Sequence, residues 1–281
     1  MMNKEDKIEL HTHTTASDGQ YTPAQLVQFA AESGIRHLAI TDHDSTAGLT
    51  AALKEAAKLQ VNIIPGIEIS AMHLGREIHF LGYYLDQHKP SLQNRLKSLF
   101  NDRQIRAERM LAKFNALGYP MKLEEVKAKA GPQGLLGRPH FALVLMDYGI
   151  VSSVPEAFDK FLNPGCPGYV ARVKVSAREA IGIIAEAQGI PVLAHPGLEF
   201  PLTLLPECLE AGLKGIECYH PRHTQAQTDR YLEIAKKYNL IVTGGSDFHG
   251  YEREDWQFFG NISPLASLAQ MQQLKEEESN G

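Results

Sequence analysis

An α/β fold is predicted by two patterns in the sequence. Apolar strand-like runs alternate with amphipathic helical ones, and histidines and carboxylates gather where those strands end. Seven strand signals can be counted, and alternation of this kind builds either a parallel βα barrel or an open α/β sheet. In both, the active site collects at the carboxyl ends of the strands. A ring of ligands drawn from so many strand ends favours the barrel. A third pattern interrupts the alternation: past Pro90, helical periodicity runs for some eighty residues with no strand signal. This predicts a helical subdomain inserted into the α/β body. The expected organisation is a first barrel part over residues 1–88, an inserted substrate-binding subdomain over 89–170, and a second barrel part over 171–281.

Ile8 and Leu10 end a short buried strand. Thr22-Pro23 caps a helix that carries Leu26, Phe29 and Ala30 and closes at Gly34, with proline at its first turn. Ile35–Thr41 is an apolar strand, Ala47–Leu59 a helix, and Val61–Ile69 a strand broken by Pro65-Gly66 with Glu68 at its end. Glu77–Tyr84 alternates like a strand and places His79 within it. The helical block then reads as Ser91–Leu117, Leu123–Ala130, Pro139–Asp147 and Pro155–Leu162. Alternation resumes with helices at Ala177–Gln188, Leu202–Ala211, Thr224–Tyr238 and Pro264–Lys275. Between them lie strands at Ile190–Ala194, Gly215–Tyr219 and Leu240–Gly245.

Composition excludes several classes of function. With 43% hydrophobic and 22% charged residues the chain is ordinary for a globular protein. A net charge of −5 leaves no basic bulk for wrapping DNA. Three cysteines without CxxC spacing suit a reducing compartment. Neither a signal peptide nor a membrane-spanning run is visible, so a cytoplasmic protein is expected. The compositional oddity is twelve histidines.

Their placement carries the chemistry. His11 and His13 stand two apart at a strand end, so both imidazoles aim to one face. Asp18 follows past a Ser-Asp-Gly turn and can return a carboxylate to the same mouth. His43, Glu68, His79, His195 and the Asp247/His249 pair sit on other strands or strand ends, and Asp247-Phe248-His249 repeats the two-apart geometry. Six histidines and three carboxylates exceed the needs of one metal and suit two or three divalent ions. Three such ions bring six positive charges and the three carboxylates return half of them. A hydroxide and a phosphate dianion balance the rest, so a doubly charged anionic substrate is favoured.

These residues fall in motifs that resemble those of the PHP (polymerase and histidinol phosphatase) superfamily. They are His11-Thr12-His13 with Asp18, Thr41-Asp42-His43, Pro65-Gly66-Ile67-Glu68, Ile78-His79-Phe80, Ala194-His195-Pro196-Gly197 and Ser246-Asp247-Phe248-His249. The resemblance covers nearly the whole chain and implies a distorted (βα)7 barrel. It also implies a partition of ligands. His11, His13, Glu68 and Asp247 hold one metal. Glu68 bridges to a second held by His79 and His195, and Asp18, His43 and His249 hold the third. Within the superfamily the chain is similar to bacterial nucleoside 3′,5′-bisphosphate phosphatases, some of them also 5′→3′ exoribonucleases of the RNase AM type. That likeness rests on residues 14–19, on Ile40-Thr41-Asp42-His43-Asp44, and on Asp102–Ala107 and Gly137-Arg138-Pro139-His140-Phe141 within the insertion.

The insertion also reads on its own terms. Arg103 and Arg106 lie one turn apart on a helix and share a face, where two guanidiniums can grip a phosphate. Gly137 and Arg138 at a helix start, and Lys174 before the returning helix, are further candidates for substrate contact. The plainer alternative is a solvated basic face, since Arg95, Lys97, Arg109 and Lys113 lie nearby. His220 and His223 are candidates for substrate contact or leaving-group protonation, with His223 preferred. The expected reaction is metal-assisted removal of the 3′-phosphate from a nucleoside 3′,5′-bisphosphate, with 5′→3′ cleavage of short 5′-phosphorylated RNA as a related activity. Manganese is the first choice of metal, with zinc or iron as alternatives. Two rivals are histidinol-phosphate hydrolysis, disfavoured by an arginine-rich insertion that repels an amine, and a non-catalytic metal-binding accessory module.

Overall fold

The computed structural model describes residues 7–130, 135–171, 175–251 and 256–280. Seven strands form one sheet in chain order: β1 (Lys7–Glu9), β2 (Ile35–Ile40), β3 (Asn62–His73), β4 (Arg76–Tyr83), β5 (Ile190–Leu193), β6 (Gly215–Tyr219) and β7 (Ile241–Gly244). Helices α1 (Pro23–Glu32) and α2 (Leu49–Leu59) connect the first three strands, and α7 (Ala177–Glu186), α8 (Pro196–Glu199), α9 (Leu205–Glu210) and α10 (Gln225–Tyr238) connect the later ones. The chain closes with α11 (Leu265–Asn280). Side-chain caps fix several helix starts. Thr22 with Gln25, Ser176 with Glu179 and Thr224 with Gln227 form reciprocal capping boxes, each satisfying orphan backbone donors.

Two expectations are corrected here. The sheet is mostly parallel, but β4 runs antiparallel to both β3 and β5. The strand expected to break at Pro65-Gly66 instead runs unbroken to His73, so Glu68 lies within β3, opposite Leu81, not at its end. Both differences have one cause. β3 and β4 form a long hairpin whose turn is Leu74-Gly75, with φ of 48° and 83°, the left-handed pair that a tight hairpin turn requires. Gly66 allows close approach there, because a Cβ on it would lie 2.9 Å from the Ile40 carbonyl oxygen.

The sheet buries both faces. Leu38, Ile40, Phe80, Leu193 and Ile216 pack outward against the connecting helices. Ile8, Leu10, Ala39, Ile64, Leu81, Tyr83, Val192 and Ala194 face the other way, where Leu268 and Met271 of α11 join them. This is the period-two alternation of a strand with two apolar sides. Between β7 and β1 the described residues form no ladder. They form one parallel bridge just beyond the strands, at Thr12 and Phe248, with His13 N donating to Phe248 O at 2.9 Å and Phe248 N to His11 O at 3.2 Å. Glu9 ties the same seam. Its buried carboxylate accepts from Ser246 N at 3.0 Å, Gly260 N at 2.9 Å and His11 N at 3.1 Å.

Within residues 90–162 lie α3 (Pro90–Ala116), α4 (Leu123–Lys129), α5 (Arg138–Asp147), α6 (Val154–Ala157) and a short π-helix at Phe158–Leu162. Their apolar cluster, including Met110, Phe114, Phe141, Leu145 and Leu162, is separate from those of the sheet. No described helix is long and apolar enough to cross a membrane.

Candidate metal centre

The predicted ligands meet at one place, most of them from just beyond strand ends and Glu68 and His79 from within β3 and β4, and the backbone explains how each arrives. His11 and His13 leave β1 on one face. Thr14 to Asp18 then fold back because Asp42, itself buried, accepts from Thr14 N at 2.7 Å, Thr14 Oγ1 at 2.8 Å and Ser17 Oγ at 2.6 Å. His43 follows β2, bridged in parallel to Glu68. His195 (φ 23°) and Asp247 (φ 53°) both take left-handed backbone at the ends of β5 and β7, an uncommon conformation for these residues that clusters at functional sites.

Three groups of ligand atoms result. His11 Nε2 lies 3.4 Å from Glu68 Oε2 and 3.5 Å from Asp247 Oδ1. His13 Nε2 lies 3.3 Å and 3.2 Å from the same two oxygens. The other Glu68 oxygen, Oε1, is 3.0 Å from both His79 Nδ1 and His195 Nε2, which are 3.2 Å apart. Asp18 faces His249 Nε2 at 3.4 Å, His13 Nδ1 at 3.7 Å and His43 Nε2 at 4.0 Å, a looser set. His43 also approaches Glu68 Oε2 through Nδ1, at 2.9 Å.

Atoms bound about 2.1 Å from one shared ion sit roughly 3.0–3.4 Å from each other, so the second group falls within that spacing, and in the first only the His11–Asp247 separation of 3.5 Å lies just outside it. A second observation agrees. His11 Nε2, both nitrogens of His13, Asp18 Oδ1, His43 Nδ1 and Glu68 Oε2 are buried and make no hydrogen bond to the described residues. Buried polar atoms are otherwise almost always paired. His249 adds a third. Its Nδ1 donates to the Asp247 carbonyl at 2.8 Å, so a neutral ring turns a lone pair toward the Asp18 carboxylate. The donor set therefore fits divalent cations.

The electrostatics follow from the same crowding. Burial opposes charge on His13 and His79, but Asp247 and Glu68 lift His13 to about 10, and Glu68 with Glu77 lifts His79 to about 9. Burial wins at His43, which falls to about 4 despite Glu68 and Asp18. Against burial, the surrounding imidazoles hold Asp18, Glu68 and Asp247 well below the usual carboxylate range.

The insertion touches the cluster at two points. Arg103 Nε donates to Asp44 Oδ2 at 2.9 Å, next to His43, while Asp44 Oδ1 accepts from Ser70 N at 2.9 Å. Arg138 donates to Glu77 Oε2 at 2.8 Å, and Glu77 Oε1 stands 3.3 Å from His79 Nε2. Arg103 and Arg106 share a face as expected, yet both are buried, so the solvated-face alternative fails for them. Arg106 Nε donates to Val170 O at 2.8 Å. Gly137 precedes α5 and gives its N–H to His140 Nδ1 at 2.9 Å. Lys174 lies outside the described residues. His223 is corrected: its Nε2 accepts from Gly197 N at 3.1 Å and its Nδ1 donates to Cys218 O at 2.9 Å. Both ring nitrogens are thus engaged, one with Gly197 of α8 and one with Cys218 of β6, and neither is left for a leaving group. Glu217, which no motif flagged, is wholly buried beside His11. The only hint in the sequence was a carboxylate inside the otherwise uncharged run Gly215–Tyr219.

His140 yields a pH prediction. Burial, with Arg103 nearby and only Asp18 opposing, lowers it to about 4. A depressed histidine contributes stability above its unfolded value of about 6.5, lost as pH falls toward 4. Between pH 7 and 4 the parent should lose about 3 kcal/mol more than His140→Gln, whose amide can still accept from Gly137 N. Denaturant melts of both proteins across that window check this; parallel curves would dismiss it.

The PHP domain family matches residues 9–160, more than half of the chain. The chain belongs to the PHP domain family. Over 86% of its length this PHP protein is 36% identical to a phosphoribosyl 1,2-cyclic phosphate 1,2-diphosphodiesterase of Eggerthella lenta, covering 94% of that protein. Over the same share it is 34% identical to a 3′,5′-nucleoside bisphosphate phosphatase of Chromobacterium violaceum, covering 87% of it. It is also 34% identical to the 5′-3′ exoribonuclease Rnm of Escherichia coli, covering 84%. A crystal structure assigned to a metal-dependent phosphoesterase of Bifidobacterium adolescentis superposes with a TM-score of 0.88 at 27% identity, over 96% of each chain. The PHP protein is accordingly a metal-dependent phosphoesterase, and the accessory-module alternative is set aside.

Proposed function

We propose that this enzyme removes the 3′-phosphate from nucleoside 3′,5′-bisphosphates, and by the same chemistry shortens 5′-phosphorylated RNA from its 5′ end. The observation that carries the reading is Glu68, whose two oxygens face different imidazole groups: His11, His13 and His43 on one side, His79 and His195 on the other. A carboxylate so placed is suited to bridge two ions. On this reading His11, His13, Glu68 and Asp247 hold the first, Glu68, His79 and His195 the second, and Asp18, His43 and His249 a third, with manganese preferred. Bound there, divalent ions supply Lewis-acid charge that activates water and neutralises phosphate.

The chain's own residues do the rest. Residues 89–170 act as a substrate-binding subdomain over a distorted (βα)7 barrel, which we take to be closed at the Thr12–Phe248 bridge. Among the candidates Arg103, Arg106 and Arg138, Arg138 is the least buried and receives the non-reacting 5′-phosphate, with Arg103 and Arg106 supporting it from within α3. A guanidinium offers five donors, so Arg138 can keep Glu77 and still bind an anion. That placement aligns the 3′-phosphate with the ligand cluster and supplies orientation, which contributes much of the barrier lowering in phosphoryl transfer.

The relative at 36% identity favours a second reading, hydrolysis of a cyclic phosphate diester on a phosphoribose. Initial rates on adenosine 3′,5′-bisphosphate, phosphoribosyl 1,2-cyclic phosphate, histidinol phosphate and a 5′-phosphorylated RNA oligomer separate them. The bisphosphate should be fastest, with two to three ions per chain by elemental analysis and no activity after exhaustive chelation. A fastest rate on the cyclic diester selects the second reading. Full activity without metal removes both.

A further inference from the structure

We infer that Glu217 is a positioning residue that sets which nitrogen of His11 faces the metal centre. The inference rests on the reading above in which His11 holds an ion. Glu217 lies within β6 and is wholly buried. Its Oε1 is 3.0 Å from His11 Nδ1, and its Oε2 accepts from the backbone N–H of His195 at 2.7 Å. One carboxylate therefore holds a side chain from the end of β1 and the backbone of a second candidate ligand at the end of β5. The backbone beyond β7 packs closely on this pair. A Cβ added to Gly245 would lie 2.2 Å from His11 Cβ and 3.1 Å from Glu217 Oε1, so a glycine is needed where β7 passes this pair.

The consequence is a choice of tautomer. A carboxylate accepts and does not donate, so Nδ1 must carry the proton, and Nε2 turns its lone pair toward Glu68 Oε2 and Asp247 Oδ1. A partner of this kind fixes ring orientation and raises the basicity of the coordinating nitrogen. Glutamine at this position has one acceptor where two are needed. If its oxygen keeps His195 N–H, its amide N–H faces His11 Nδ1 and favours the opposite tautomer, which aims a proton into the site. The group behind a metal ligand is then selected for charge, not merely for shape.

The test titrates Mn2+ into metal-free parent and Glu217→Gln by calorimetry, and compares both as Zn2+-loaded, 15N-histidine-labelled proteins by NMR. Glu217→Gln should bind its tightest ion about 10–100-fold more weakly. In the Zn2+-loaded parent the His11 signal, identified by its absence from His11→Asn, should show zinc on Nε2 and a strongly hydrogen-bonded proton on Nδ1. Equal Mn2+ affinity in parent and variant overturns the inference while leaving the metal reading intact. So does zinc on Nδ1 in the parent, a result that does not depend on the variant folding. A parent that takes up neither ion overturns the metal reading, and the inference falls with it.

Discussion

Replacing Glu68 by glutamine should lower kcat by at least about 10³-fold while the chain stays folded. The side chain is wholly buried and both of its oxygens stand within 3.5 Å of imidazole nitrogens from separate parts of the chain. Glutamine keeps the shape but loses the charge and turns one acceptor into a donor, which aims N–H groups at nitrogens that need a shared acceptor or cation. Loss of a single preorganised charge-stabilising group costs about 10²–10³ in rate, and this one serves two groups at once. Folding is retained because the imidazoles facing position 68 can shed their protons, so losing the carboxylate strands no buried charge. Steady-state kinetics with circular dichroism and elemental analysis check the result. A Glu68→Gln enzyme that keeps its ions and its rate would rule out the bridging role.

The second large effect is on stability. Arg103→Met should destabilise the protein by about 3–5 kcal/mol, because it strands the buried Asp44 carboxylate. For a chain of this length that is roughly a 10 °C fall in Tm. The double variant Asp44→Asn/Arg103→Met should recover most of it. Asparagine tolerates the left-handed backbone at this position, φ 48°, and its side-chain oxygen can still accept from Ser70 N. Scanning calorimetry on the three proteins decides. If the single variant melts with the parent, Asp44 and Arg103 do not form the latch between insertion and sheet described above.

The convergence of the candidate ligands was legible because two short-range rules write it into the sequence: strand residues two apart share a face, and α/β folds present strand ends at one edge. His11, His13, Asp247 and His249 needed nothing more. The direction of β4 was not legible, since alternation announces a strand but not its orientation, and the Leu74-Gly75 turn lacks the Asn-Gly signature that marks a tight hairpin. The roles of Arg103 and Arg138 were hidden for a different reason. Their partners Asp44 and Glu77 lie 59 and 61 residues away, and helical spacing reports which residues share a face, not what that face meets. Glu217 shows the same limit, for an acid in a strand is unremarkable until its burial is known.

The seam held by Glu9 has a consequence in time. Its acceptors are filled by Ser246 and Gly260, 237 and 251 residues further along the chain. At about 5–20 residues per second of synthesis, Glu9, His11 and His13 leave the ribosome roughly 10–50 s before Asp247 exists to meet them. Contacts this distant in sequence form late and slowly. The earliest-made residues of the centre thus wait for the last-made ones before the cluster can assemble.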